Sequence, residues 1–120
     1  TITIDSGQIN TSANVTTANI SGGEITIKGS ANLTTANIRG KSVVSFESSG
    51  TLTTANVFDK PSVLTLENNV TAGATLTDVN LYDGTLDDRS GSGATTYTNG
   101  VSVRGQGIVR ADVNRTLVVT

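Results

Sequence analysis

The chain has 120 residues, a formal net charge of −2, no Cys, no His and only four aromatic residues, Phe46, Phe58, Tyr82 and Tyr97. That length fits one domain with a modest core. The missing residue types exclude disulfides, thiolate chemistry and Cys-ligated zinc, and remove the commonest general base.

Hydrophobic residues make up 35% of the chain, too few for a thick globular core. The abundant Thr, Ser, Asn and Gly disfavour helix and suit short strands joined by turns, so the expected class is all-β. No basic stripe or basic amphipathic helix is present, so neither nucleic acid nor direct membrane insertion is expected. No apolar run approaches the roughly 18 residues of a membrane span. The start at "TITID", without Met, reads as that of a processed or excised segment.

In chain order, an alternating segment "TITID" (1–5) precedes the block "ANVTTANISG" (13–22). "EITIK" (24–28) precedes "ANLTTANIRG" (31–40), "VVSFE" (43–47) precedes "GTLTTANVFD" (50–59), and "VLTLE" (63–67) precedes the degenerate copy "ATLTDVNLYD" (74–83). Aligning the blocks brings Asn19, Asn37, Asn56 and Asn80 into register at spacings of 18, 19 and 24 residues. A period of that size is one coil of a solenoid. The expected fold is a β-solenoid of about four coils of 18–24 residues over residues 1–83.

Each alternating segment offers two apolar residues at period two, among them Ile25 and Ile27, and Val44 and Phe46. One side of a half-buried strand has this pattern. Treating the four segments as equivalent puts Asp5, Lys28, Glu47 and Glu67 in one outer column. Lys28 would then sit beside an acidic neighbour on either side, with exposed pairs worth under about 1 kcal/mol.

The units "ANLTT" and "ANIRG" resemble those of pentapeptide-repeat proteins over ten residues in each of two coils, with weaker versions in two more. The "EITIK"-type segments interrupt the run of fives that defines that family. The geometry implied by the resemblance points Leu33, Ala36 and Ile38 inward and Thr34, Thr35 and Asn37 outward, whereas strict alternation puts Thr35 and Asn37 inside.

Residues 84–100 are rich in Gly, Ser and Thr without periodicity and read as a loop. Residues 101–120 regain alternation and read as a β-hairpin turning near Asp112 to Asn114, packed on the solenoid or on a neighbouring subunit. This tail resembles the closing strands of type IV pilin-like proteins, some of which carry β-solenoid insertions. The resemblance covers some 20 residues and lacks the apolar N-terminal helix of pilins. It implies a surface-filament context, with "TLVVT" as the strand that pairs with a neighbour.

Candidate sites each compete with a plainer structural explanation. Asn10, Asn14, Asn19, Asn32, Asn69 and Asn114 lie in glycosylation sequons, most of which chance supplies in a chain this rich in Ser and Thr. Thr16, Thr17, Thr34, Thr35, Thr53 and Thr54 form a candidate exposed hydroxyl surface, although Thr also suits any exposed strand. Asn19, Asn37, Asn56 and Asn80 form a structural column, either as left-handed corner residues or as a stacked amide ladder. Asp78, Asp83, Asp87 and Asp88 cluster beside Gly, yet match no calcium-loop spacing.

No acid/base constellation and no cofactor motif stands out, so neither an enzyme nor a cofactor is expected. The reading reached from sequence is a structural subunit or module of an extracellular or cell-surface filament, fibre or adhesin stalk. Its expected partners are copies of itself or filament neighbours, joined through strand and solenoid-end contacts. The alternatives are a module that binds surface glycans and an ice-binding solenoid using its Thr columns.

Overall fold

The computed structural model describes residues 1–69, 73–89, 95–111 and 118–120. Among these there is no helix, and thirteen strands stack in parallel as a β-solenoid of about five turns. One sheet carries the TTAN blocks. It is built from β1 (Ile2–Ile4), β3 (Val15–Ile20), β5 (Leu33–Ile38), β7 (Thr51–Val57) and β9 (Thr75–Tyr82), with β11 (Thr96–Tyr97) and β12 (Val101–Arg104) both on β9. The opposite sheet runs β2 (Gln8–Thr11), β4 (Gly23–Gly29), β6 (Ser42–Ser48), β8 (Val63–Thr65), β10 (Thr85–Asp88) and β13 (Ile108–Ala111). The chain alternates between the sheets, so each strand pairs with the one a full coil earlier.

The core is a set of apolar columns. On the TTAN sheet Ala18, Ala36, Ala55, Val79 and Val101 are in register. Ile20, Ile38, Val57 and Leu81 form a second column, and opposite them Ile25, Val44, Leu64 and Leu86 form a third. All these side chains are buried, as is Phe46, which follows Ile27 in register. The Ala column lets the sheets approach closely. Stacked strands repeat every 4.7–4.9 Å or so, which is why side chains of similar size recur at each level.

Along β5 the order is Leu33 inward, Thr34 and Thr35 outward, Ala36 inward, Asn37 outward and Ile38 inward. Two successive outward residues break strict alternation. Because β3 and β7 carry the same step, the register is kept: Thr17, Thr35 and Thr54 align, as do Ala18, Ala36 and Ala55. Turns between the sheets demand tight backbone. Gly23 has φ +116°, and a Cβ there would come within 2.5 Å of the Gly7 carbonyl oxygen.

Three sequence expectations change. First, "TITID" does not belong with "EITIK": Ile2, Thr3 and Ile4 pair with Ala18, Asn19 and Ile20, and the first strand of the opposite sheet is Gln8–Thr11. Period-two alternation says that a strand is half-buried without saying which sheet it joins. Asp5 therefore leaves the proposed charge column. Lys28 and Glu47 do align, but the ion pair found among the described residues is Arg89 with Asp87.

Second, residues 84–100 are not all loop. They contain β10 and β11, which continue both sheets, and β10 is buried throughout. Third, residues 101–120 do not form a hairpin across the described strands. β12 and β13 lie in different sheets as one further coil, and Val118–Thr120 pairs in parallel with β12 through Val119 and Val101. Local alternation and a turn signal look alike in a hairpin and in a coil whose partners lie a full turn away. The expected turn at Asp112 to Asn114 lies outside the described residues.

Candidate functional site: the outer face of the TTAN sheet and the two end coils

The outer face of the TTAN sheet carries aligned polar columns. Asn37 Nδ2 donates to Asn19 Oδ1 at 2.9 Å, Asn56 Nδ2 to Asn37 Oδ1 at 3.0 Å, and Asn80 Nδ2 to Asn56 Oδ1 at 3.0 Å. The four amides form one ladder, each half-buried within its strand. They are not corner residues; the non-glycine residues with positive φ among those described are Lys41 and Asp83. Aligned amide dipoles polarise one another and strengthen the chain of bonds.

The ladder has a direction. Every donor points toward the first coil, so Asn19 Nδ2 donates to no described residue and Asn80 Oδ1 accepts from none. Hydroxyls continue the column at both ends: Thr3 aligns with Asn19, Ser102 with Asn80, and Ser102 Oγ lies 3.3 Å from Thr120 Oγ1. The Asn19 end opens into a shallow depression of about 310 Å³ lined by Thr3, Asn19, Ile20, Ser21 and Arg39.

Two residues after each Asn lies a column that the sequence reading missed: Ser21, Arg39, Phe58 and Tyr82, extended by Asp5 before it and Arg104 after it. Ser21 Oγ donates to Asp5 Oδ1 at 2.8 Å. The Arg39 guanidinium sits 4.2 Å over the Phe58 ring centre, Phe58 and Tyr82 stack at 5.4 Å with planes 11° apart, and Arg104 lies 5.6 Å over Tyr82. Such stacks contribute about 0.5–1.5 kcal/mol per contact. Both ring faces of each aromatic are thereby covered. A sugar platform needs a free face, and these two rings present edges. The fixed offset from the aligned Asn residues is the signal that reveals this column in the sequence.

The Thr residues lie in two outward ranks, with Thr16, Thr34 and Thr53 exposed and Thr17, Thr35 and Thr54 half-buried. Asp78 takes the next place after Thr54 and accepts from Asn99 Nδ2 at 2.6 Å. The rank of Thr17 therefore ends at three coils, whereas the rank of Thr16 continues at Thr77 opposite Thr53.

The four Asp residues do not converge. Besides Asp78 on the TTAN sheet, Asp83 accepts from the Gln106 backbone N–H in a turn, Asp87 pairs with Arg89 at 2.6 Å, and the buried Asp88 accepts from Tyr97 Oη at 2.8 Å. No group of three potential metal ligands occurs among the described residues. Two carboxyls are held below their ordinary value. For Asp87 the hydrogen bond from Arg89 is the main cause, burial opposes it, and the charges of Arg89 and Arg110 add to it. For Asp59 burial pushes upward, but the Ser62 hydroxyl and the backbone N–H groups of Gly40, Lys41 and Ser62 together outweigh it.

The sequon asparagines separate by environment. Asn69 is buried and donates to the Phe46 and Ser48 carbonyls, which removes it as an acceptor for a glycan on the folded chain. Asn19 is committed to the ladder. Asn14 Oδ1 accepts from Asn32 N–H and Asn32 Oδ1 from Thr51 N–H, a second stacked series at a corner. Asn10 is exposed on β2, and Asn114 lies outside the described residues.

The end coils differ from the rest in what they expose. Ile9 is 36% exposed in the first coil, and at the other end Ile108 is 37%, Val118 66% and Val119 51% exposed. These are the exposed large hydrophobic residues among those described, and they lie at the two ends. Strand edges lie there too: β1 and β2 at one end, β13 and Val118–Thr120 at the other. Comparison of the chain with family models, curated proteins and solved structures gives no match.

Proposed function

We propose that the chain is a structural module of an extracellular or cell-surface filament, fibre or stalk, acting through its shape and its two ends. The observation that carries this reading is the confinement of exposed large apolar side chains to the end coils, beside open strand edges. Ile9 continues the buried column of Ile25, and Val119 that of Val101. A solenoid coil is covered by its neighbours, so an uncovered end coil calls for further coils or another subunit. Head-to-tail contact of unlike ends generates an open, linear polymer when successive copies continue along one stacking axis rather than closing into a ring.

The outer faces fit that role. The amide ladder and the ring stack on the TTAN sheet tie each coil to the next. Sedimentation of the purified chain over a concentration series tests the reading. Growth of the weight-average mass with concentration is expected, and a monomer at every concentration would overturn it.

A further inference from the structure

We infer that Val118–Thr120 occupies the place that β1 of a second copy takes when two solenoids stack head to tail. This rests on the end-stacking reading above and adds the register, the partner residues and a competitor for the slot.

Beside β12, Val119 is paired with Val101 and Thr120 follows beside Ser102, the columns of Ala18 and Asn19. At the other end Ile2 and Thr3 stand beside Ala18 and Asn19 themselves. "VVT" and "TIT" thus hold equivalent positions at opposite ends. The two strands of a coil advance together, with β1 beside β3 and β2 beside β4. A second copy whose β2 pairs with β13 therefore brings its β1 to the edge of β12, where Val118–Thr120 already lies. If that segment stays, the incoming β1 must sit one level further out while its β2 does not.

The segment is lightly held. Three backbone bonds tie it to β12: Val101 N to Val118 O at 2.7 Å, Thr120 N to Val101 O at 2.8 Å, and Val103 N to Thr120 O at 2.8 Å. Its two Val side chains are more than half exposed. An incoming β1 makes the same kind of bonds and brings with it a whole coil, including Ile9 to cover Val109.

Polarity selects head-to-tail over head-to-head. The amide ladder ends in a donor at Asn19 and an acceptor at Asn80. In the stacked arrangement Ser102 of one copy and Thr3 of the next lie between them. A hydroxyl both donates and accepts, so rotation of these two side chains onto Asn19 and Asn80, whose outer amide atoms are unbonded among the described residues, would carry one bond direction from one copy into the next. The same register sets Asp5 of the incoming copy on Arg104, opposite charges on adjacent levels. Head-to-head contact would face two donor ends and two Asp5 carboxylates.

Adjacent levels are about 4.8 Å apart, within the Cα separation a disulfide spans, and the chain has no other Cys. Mixing Asp5→Cys chains with Arg104→Cys chains under oxidising conditions is therefore expected to give covalent heterodimers, with neither variant doing so alone. Ending the chain after Ala111, or introducing Val119→Asp to repel the segment from the Val101 column, is expected to raise heterodimer yield and lower the half-assembly concentration about tenfold. Far-ultraviolet circular dichroism checks that each variant folds. Assembly without this cross-link, or assembly indifferent to both changes at Val118–Thr120, overturns the inference and leaves the end-stacking reading in place. No assembly by the full or the shortened chain overturns both.

Discussion

The middle coils and the end coils contain the same columns, yet bury them differently. Ile25, Val44 and Leu64 are fully buried, whereas Ile9, one level earlier in that column, is 36% exposed. Phe46 lies among neighbours on both sides; Ala111 ends the corresponding column. A solenoid coil thus draws its stability from the coils beside it. Interior coils are stabilised within the chain, and end coils hold unused capacity for contact.

Paired truncations break that contrast most sharply. Phe46→Ala is expected to cost about 3–5 kcal/mol, because it removes a large side chain from a closed column and leaves a cavity. Ile9→Ala is expected to cost the isolated chain about 1 kcal/mol or less, since much of its side chain is already solvated. Urea unfolding of both variants measures the difference. Equal losses would show that the end coil is as well buried as the middle.

Ala36→Leu tests the close approach of the sheets at the Ala column. Over-packing a filled layer is expected to cost about 1–3 kcal/mol, measurable in the same titrations. On the outer face, Asn37→Ala breaks two rungs of the ladder and is expected to cost about 1–2 kcal/mol, because solvent re-bonds part of what is lost. Asn80→Ala breaks one rung and should cost about half as much.

The smallest effect is the acid dependence. Asp87 and Asp59 have folded-state values below their unfolded ones. Their contribution is complete above about pH 4, the unfolded carboxylate range, and is lost as pH falls through the folded values. Asp87→Asn should flatten part of the fall in melting temperature between about pH 4 and pH 2. An unchanged pH profile would remove Asp87 from that account.

The repeat made the solenoid readable because inward apolar residues and outward Asn recur at coil spacing. Leu33, Ala36 and Ile38 face inward because the two-residue outward step at Thr34 and Thr35 is shared by neighbouring strands. Where the repeat fades, the architecture persists. β10, β11, β12 and β13 need only an inward apolar residue and an open strand edge to pair with, as Leu86 on β10 and Val101 on β12 provide. That requirement leaves little trace in sequence, so two strands were hidden in a stretch that reads as loop and a coil was hidden in one that reads as hairpin. The sheet assignment of "TITID" was likewise ambiguous, since Ile2 and Ile4 alternate as well on either face.

The outer face was half legible. Aligned Asn residues announce a column, but the direction of the ladder depends on how the amides turn. The Arg39–Phe58–Tyr82–Arg104 stack stayed hidden because its members are chemically unlike and share only their offset from Asn. Asp5, at the far end of the longer column beyond Ser21, and Arg104 would meet only in the proposed stacking of two copies.

Sedimentation velocity of the intact chain across a concentration series tests the central claim most directly. Stacking through the end coils predicts a sedimentation coefficient that rises with concentration, and a fall in that rise when Ile9 is replaced by Ser. A single monomer boundary at all concentrations, identical for the two proteins, would contradict it.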